Sequence, residues 1–558
     1  MEFLNKVISF FTAVIVFLIT PLYAVFPCYN DIAFEIDTAS VGEELPNAVS
    51  NVNIWNMKET DQFTNLKINE KYNIGEFVEY VQLMQCTGGA ANRDLFKDPL
   101  DFDTLDDYDF APLIENCRGI LELGAKPHLK LGSVPLKYSS AARTDTTFGT
   151  NVYPPDDYDI YYNYIKAMGE ALVNEFGSEE VLTWRFGVMT EYENADWFKT
   201  TDASPEKTAK AYCKLYDYSV DALQKTIGEN VFVGAHSMTV TEGLWDENIF
   251  IEHCGKGTNY KTGETGTRVC FLSSSFYDMK PGEFTSGKTL PECIAYLKEC
   301  AADAGLTGLI FGIDEGRIYG GINSGSVDSQ LLSRTVGYTY QAAYDARLYK
   351  QLFDIGGDYL SSWYYLSNGL FEGNPTVSYH VASNVAKFKG MSKVNTEKTE
   401  KGMLLTSDID CISAVDSENG NVLVMAYNFN NDLEYKYGTD MKFNIAVPHL
   451  DGKKINIKIS KIDDSCNFFD EWVEDRKTYG IENSCFAWSP DDPIIDDINT
   501  LNDTAAREIY FEKLYDKYTK CSELTPSVIE ATVKNGSITI SEDVAANGVI
   551  FIEITPAE

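Results

Sequence analysis

The feature that most limits what this chain can fold into is an eightfold alternation between about residues 50 and 395. Short apolar runs recur there: "VNIWNM" (52–57), "FVEYVQLMQC" (77–86), "AKPHLKLG" (125–132), "TWRFGVM" (183–189), "NVFVGAHS" (230–237), "RVCFLSSSFY" (268–277), "GLIFGID" (308–314) and "YLSSWYY" (359–365). Between them lie helix-like segments such as "FAPLIENCRGILELG", "YYNYIKAMGEALVNEFG" and "TLPECIAYLKECAADAG". Each ends in a Gly where the residue after a helix favours a left-handed backbone. Apolar strands separated by amphipathic helices imply a parallel sheet, because each helix carries the chain back to start the next strand in the same direction. Eight such units fit an α/β fold of the (β/α)8 TIM-barrel kind with long loops. A doubly wound open sheet is the competing arrangement, and the count of eight favours the barrel.

After about residue 396 the period changes. "CISAVDSENGNVLVMAYNFNN", "KFNIAVP", "KINIKISKID", "SITISE" and "GVIFIEITP" alternate at period two, with turn signals "ENGN" and "KNGS" between strands. This reads as a β-sandwich over 396–558, with one inserted helix, "DTAAREIYFEKLYDKYTKC". The segment 25–49 contains "IAFEID", a strand that can join the C-terminal sheet rather than the barrel. Residues 1–24 read as a secretory signal peptide: Lys6, an apolar run from Val7 to Thr20, then Pro21 and the small Ala24. An uncleaved anchor is the alternative, but the run is short for a span. The expected location is therefore extracellular, where some of the 12 Cys pair; Cys466 with Cys485 and Cys254 with Cys270 are plausible local bridges.

A formal net charge of −38 repels phosphate backbones, so nucleic acid is excluded as a natural partner. With no CxxC pair and only five His, the composition calls for no zinc cluster, and no metal or cofactor is expected. The 34 Tyr and 31 Phe suit flat ligands such as sugars, although Tyr-rich extracellular proteins are common. "GEFTSGKT" (282–289) matches a phosphate-binding loop letter for letter, but "DMK" and Pro281 separate it from its strand and Pro291 falls where the helix should be running. It reads as the loop after the sixth strand. The acidic "SPDDPIIDDINTLND" (489–503) lacks EF-hand spacing and reads as a solvated loop.

Catalytic side chains of such barrels stand at the C-terminal ends of strands. The fourth run is followed by Thr190, Glu191 and Glu193, and the seventh ends at Asp314 and Glu315. Carboxylates on the fourth and seventh strands can face each other across a substrate, as retaining glycoside hydrolysis requires. Glutamates at strand ends are also ordinary solvated residues or caps; two at these positions weaken that reading. Glu191 and Glu193 share a parity, so alternation does not choose between them. Asp314 and Glu315 have opposite parity, so only one is expected to face inward. His236 ends the fifth run as a pocket hydrogen-bond partner or a satisfied surface His. His128 reads as structural. Trp55 stands for sugar stacking or core packing. Arg93 stands for a contact to substrate hydroxyls, support of a catalytic carboxylate, or an ordinary surface Arg.

These segments resemble glycoside hydrolase family 39, a clan A family of (β/α)8 barrels, over most of the chain. "FAPLIENCRGILELGAKPHLKLGSVP" resembles its helix and third strand, and "TWRFGVMTEYENADWF" resembles its W-x-F-E-x-W-N-E-P. On that register Trp184, Phe186 and Glu191 match, and the resemblance gives Glu191 the acid/base role. "IDEGR" is similar to the seventh-strand T-E, which makes Glu315 the nucleophile. Tyr277 in "FLSSSFY" inherits a contact to the nucleophile, and Trp363 in "SSWYYLSNGLFEG" a sugar-stacking role. The chain departs from the pattern at Thr190, where the family has an Asn that binds the 2-hydroxyl. Tyr192 stands for Pro, Gly187 for Glu, and Ala235 and His236 for Gly-Pro. The resemblance implies a retaining exo-glycosidase of β-xylosidase type acting on oligosaccharides or other glycosides. The alternatives are a clan A glycosidase with another sugar specificity or a catalytically inactive glycan-binding protein.

Overall fold

The computed structural model describes residues 31–54, 71–84, 86–143, 146–147, 149–240, 243–278, 287–318, 339–362, 369–401, 407–432, 435–481 and 503–557. The expected leader, Trp55, Trp363, Cys485, residues 282–286 of the Gly-Lys-Thr segment and all but Asp503 of the acidic stretch lie outside the described residues.

The first strand, β1 (Asp31–Glu44), is followed by eight strands that close into a parallel barrel in sequence order: β2 (Asn51–Ile54), β3 (Tyr80–Leu83), β4 (Lys126–Leu131), β5 (Arg185–Val188), β6 (Phe232–Met238), β7 (Phe271–Asp278), β8 (Ile310–Ile318) and β9 (Tyr359–Ser362). Closure is made by Val52 pairing with Ser362. The helices between strands begin and end where local chemistry satisfies their free backbone groups. Asp157 accepts from the Asp159 amide at the head of Tyr158–Phe176, and Thr289 with Glu292 makes a reciprocal capping box at the head of Leu290–Ala304. Gly124, Gly177 and Gly305 follow their helices at φ of 92°, 83° and 77°. Thr289 is thus spent on a helix cap, and Lys288 donates to the Val240 carbonyl on the neighbouring loop, so this segment closes a barrel connection.

The remaining strands follow a two-residue hairpin, β10 (Leu370–Phe371) with β11 (Asn374–Pro375). They are β12 (Ser392–Lys401), β13 (Asp408–Val415), β14 (Val422–Phe429), β15 (Thr439–Ala446), β16 (Lys454–Ile462), β17 (Ser527–Thr532), β18 (Ser537–Val544) and β19 (Val549–Pro556). With β1 they form one nine-stranded sheet ordered β17-β16-β19-β14-β13-β12-β1-β15-β18. The sheet folds over a single apolar core in which Phe34 and Phe443 stack beside Ile409, Val424, Ile457 and Ile552, giving the sandwich expected from the period-two pattern. β1 lies between β12, antiparallel, and β15, parallel.

All eight residues of β14 are buried, because its second face packs on the barrel. Leu423, Met425, Tyr427 and Phe429 belong to the barrel's core, and Phe429 meets Tyr340 and Tyr344 of the helix Thr339–Ile355 at 5.5 and 6.1 Å between ring centroids. The expected helix spans Thr504–Cys521, with a π-type turn at Tyr510–Leu514. A second helix, Phe469–Tyr479, was not expected from the sequence. Its apolar residues are Phe469, Trp472, Val473 and Tyr479, a short pattern set among charged residues, and Trp472 with the preceding Phe468 locks it against Phe371, Tyr510 and Tyr518. The ten described cysteines are free thiols, Cys254 and Cys270 among them, so that expected bridge is not formed.

Candidate active site

The fourth barrel strand, β5, delivers its chain to the mouth through a strained turn. Met189 and Glu191 have φ of 61° and 40°, and Ser237 and Val240 after β6 have 48° and 59°. Non-glycine residues hold such angles only where surrounding contacts over-determine them, and such residues cluster at functional sites. Here the Glu191 amide donates to the Ser237 carbonyl at 3.0 Å, tying the two turns together. Behind the turn, Tyr192 stacks on Tyr212 at 3.7 Å between centroids, with Trp245, Phe250 and Phe198 around them. Tyr192, the residue in the family's Pro position, is therefore a core ring that braces the turn.

Glu191 is half-buried beside Glu315. Burial first, then the negative charge of Glu315 and of Glu193, push its carboxyl up to about 8, against the pull of the Ser275 hydroxyl and Lys130. Glu193 turns the other way. Its Oε1 accepts from the Thr239 amide and, at 2.7 Å, from the Thr239 hydroxyl, while its carbonyl accepts from the Leu244 amide at 2.5 Å. Glu193 anchors the loop after β6. Its carboxyl is raised to about 7 by burial and by Glu247.

On β8 the ladder skips a residue. Ser274 pairs with Ile313, and Ser275 pairs with Glu315. This bulge at Asp314 corrects the parity expectation, because both carboxylates face inward at different depths. Asp314 lies on the barrel floor, fully buried. Its Oδ1 accepts from Gln82 Nε2 at 2.9 Å and Tyr359 Oη at 2.7 Å, and its Oδ2 from Ser273 and from His236 Nδ1 at 2.6 Å. Burial would raise its pKa, but His236, then His128 and Lys130, hold it well below the usual carboxylate range. Burial brings His236 down to about 4. The neutral ring donates through Nδ1 and accepts at Nε2 from Gln82, 3.1 Å away. Both nitrogens of His236 are engaged on the buried floor, by Gln82 and by Asp314, so the ring is not a surface His.

Gly187 explains how that ring fits. A Cβ there would come within 2.9 Å of the His236 Cβ and 3.0 Å of its ring carbons, so the ring fits because residue 187 has no side chain. His128 stacks on His236 at 4.8 Å and is buried. Among the described residues His128, His236 and Asp314 are the one group whose ligand atoms lie within 4.8 Å of one another. The two rings stack face to face, 19° apart, and both His236 nitrogens already have protein partners.

Glu315 stands above this floor, near the mouth. Lys130, 1% exposed on β4, is ion-paired to its Oε1. Thr190 Oγ1 donates to the same Oε1 at 2.8 Å and accepts from Lys130 Nζ at 3.2 Å. Tyr277 Oη donates to Oε2 at 2.9 Å. Burial pushes Glu315 up, but the Lys130 charge and hydrogen bond, then Thr190, outweigh it and hold the carboxyl below its ordinary value. Arg93 is buried, not on the surface. Its Nη2 donates to Thr150 Oγ1 at 3.2 Å in the loops after β3 and β4.

The structure thus brings Thr190, Glu191, Tyr277 and Glu315 together, places His236 beneath them and sets Arg93 in the neighbouring loops. Lys130 and Gln82 were missed by the sequence reading. The available signal was a lysine at the same parity as His128 inside an apolar strand of a closed barrel, where a charge demands a partner.

The sequence profile of Glycosyl hydrolases family 39 matches residues 96–419, more than half of the chain. The chain belongs to this family. A beta-xylosidase of Caldicellulosiruptor saccharolyticus is 27% identical over 157 residues, 28% of this chain and 31% of that protein. An alpha-1,4-L-rhamnosidase of Formosa agariphila is 22% identical over 351 residues, 61% of this chain and 64% of that one. The chain spans less than a third of the length of the curated beta-xylosidases it matches. The monomeric beta-xylosidase structure from Caulobacter crescentus CB15 superposes with a TM-score of 0.64 at 15% identity, covering 94% of this chain and 100% of that one, and so shares the fold.

Proposed function

We propose that this chain is a secreted retaining exo-glycosidase of β-xylosidase type, acting by double displacement. One observation carries the reading: two neighbouring carboxyl groups, one just past the fourth barrel strand and one on the seventh, are driven to opposite protonation states, Glu191 up to about 8 and Glu315 below its ordinary value. At neutral pH Glu191 holds a proton to give and Glu315 is an anion able to attack. Glu315 attacks the anomeric carbon while Glu191 protonates the leaving oxygen. Glu191, now ionised, then takes a proton from water, which attacks the glycosyl-enzyme and restores Glu315. The family membership and the similarity to beta-xylosidases support this reading, and the apolar run at 7–20 supports secretion.

The alignment to an alpha-1,4-L-rhamnosidase covers more of the chain than either beta-xylosidase alignment and favours a second reading, a glycosidase for another sugar. A panel of aryl glycosides that includes β-xylosides and α-L-rhamnosides separates the two. Proton NMR of the first-formed product is expected to show the substrate's own anomeric configuration. Inversion overturns the mechanism, and glycan binding without turnover of any panel member overturns the enzyme reading. Azide is expected to restore the rate of Glu191→Ala on activated substrates.

A further inference from the structure

Lys130 stands in an unusual position for a cation. It is buried on β4 inside the barrel, and its ammonium donates to Glu315 Oε1 and Thr190 Oγ1. Its charge cannot serve solubility, and burying an ammonium is costly unless its partner repays it. Burial brings the lysine below its ordinary value, against the opposing pull of Glu315 first, then Asp314 and Glu191. The two oxygens of Glu315 are not equivalent. Among the described residues, Oε1 accepts from both Lys130 and Thr190, whereas Oε2 accepts from Tyr277.

We propose that Lys130 is a positioning residue for the second half of the reaction: its ammonium pins Oε1, leaves Oε2 to attack, and stabilises Glu315 as the departing carboxylate when the glycosyl-enzyme breaks down. The inference rests on the double-displacement reading above. In the first step a lone pair on Oε2 forms a bond to the anomeric carbon as the glycosidic C–O bond breaks, and the leaving oxygen takes the proton of Glu191. The carboxylate becomes a neutral ester whose carbonyl oxygen is Oε1, still beside the ammonium. In the second step a water oxygen bonds to the anomeric carbon, its proton passes to Glu191, and the electron pair of the breaking C–Oε2 bond returns to Glu315. Negative charge reappears on a group that already faces a fixed cation, so no solvent needs to reorganise. In the first step the same cation stabilises the ionised ground state, which lowers the drive to attack. Its benefit therefore falls on deglycosylation.

The test compares Lys130→Gln and Lys130→Arg with the wild type on an aryl glycoside with a good leaving group. For Lys130→Gln, kcat is expected to fall about 10²–10³-fold, the size found for one lost electrostatic donor. KM is expected to fall with it, an initial burst of aglycone to appear, and intact-mass measurement to show the chain plus one glycosyl unit. Lys130→Arg is expected to recover part of kcat and to remove the burst. Equal losses in kcat and kcat/KM with no adduct overturn the proposal. A second readout needs no turnover: the 13C-carboxyl titration of Glu315, assigned through Glu315→Gln, is expected to rise by about 1–3 pH units in Lys130→Gln. An unmoved titration overturns the role of Lys130 even in an active enzyme. A wild type without glycosidase activity overturns the proposed function, while the titration still decides whether Lys130 governs Glu315. If Lys130→Gln does not fold, Lys130→Arg decides, and a Glu315 that then titrates at or above its ordinary value overturns the proposal.

Discussion

His236 Nδ1 lies 2.6 Å from Asp314 Oδ2, and both side chains are fully buried beneath Glu191 and Glu315. With Gln82, Ser273 and Tyr359 they form a closed set of hydrogen bonds that ties β3, β6, β7, β8 and β9 into one floor. Asp314→Ala strands four donors in the barrel interior, and leaving buried donors unsatisfied costs about 1–3 kcal/mol for such a group. Urea unfolding of the variant is expected to show a loss of that order with an unchanged slope. A loss under about 1 kcal/mol contradicts the assignment of Asp314 as the floor's hub.

The pH dependence follows from the same geometry. Glu191 must be protonated and Glu315 ionised, so kcat/KM is expected to fall as pH rises through about 8 and to stay high down to below 4.5, the ordinary value that Glu315 is held beneath. For stability the sign is opposite to that of an ion-paired carboxylate. The folded chain keeps the Glu191 proton where the unfolded chain has lost it, so Glu191 makes stability decline between pH 4.5 and about 8. Glu191→Gln is expected to flatten that part of the stability-versus-pH curve and to remove the alkaline limb of activity. An unchanged curve contradicts the raised pKa.

Much of this architecture is legible in the sequence because it depends on period. The eight apolar runs and the glycines at 124, 177 and 305 mark where strands and helices lie. Parity then misleads at one place. It allows only one of Asp314 and Glu315 inside, but the bulge between Ile313 and Glu315 turns both inward, and no residue pattern in "GIDEGR" announces an extra residue in the ladder. Lys130 is illegible for a different reason. A lysine in a strand ordinarily marks an exposed face, and only the closed barrel makes its inward parity a burial. The His236 ring could not be placed without seeing that Gly187 leaves room for it.

Glu193 separates structural from catalytic carboxylates. Its Oε1 caps the Thr239 amide and hydroxyl, so Glu193→Ala is expected to loosen the loop after β6 and lower the melting temperature. Azide is not expected to rescue it, because it donates no proton to the leaving group. Rescue of Glu193→Ala in place of Glu191→Ala would reverse the two assignments.

Thr190 offers a graded change. Thr190→Val keeps the shape and removes the donor to Glu315 Oε1, a hydrogen bond to a charged group worth about 1.5–3 kcal/mol. A 10- to 100-fold loss of kcat, with KM falling alongside as for Lys130→Gln, is the corresponding expectation, about a tenth per 1.4 kcal/mol. The acid limb should move up by less than in Lys130→Gln, since the cation stays. An acid limb that moves further in Thr190→Val than in Lys130→Gln would make Thr190 the main support of the nucleophile.

The place of β1 in the nine-stranded sheet bears on how the chain is made. Asp31 pairs with Lys401, so this strand leaves the ribosome 370 residues (401 − 31) before its antiparallel partner, and its parallel partner β15 follows later still. While the whole barrel is being synthesised, β1 has both edges unpaired and carries Ile32, Phe34 and Ile36 uncovered. Pairing across such a separation is slow, and an exposed apolar edge invites association with other chains. The nascent protein therefore passes through a long interval in which its first-made strand needs shielding, and a truncated product that stops before β12 keeps that edge open permanently.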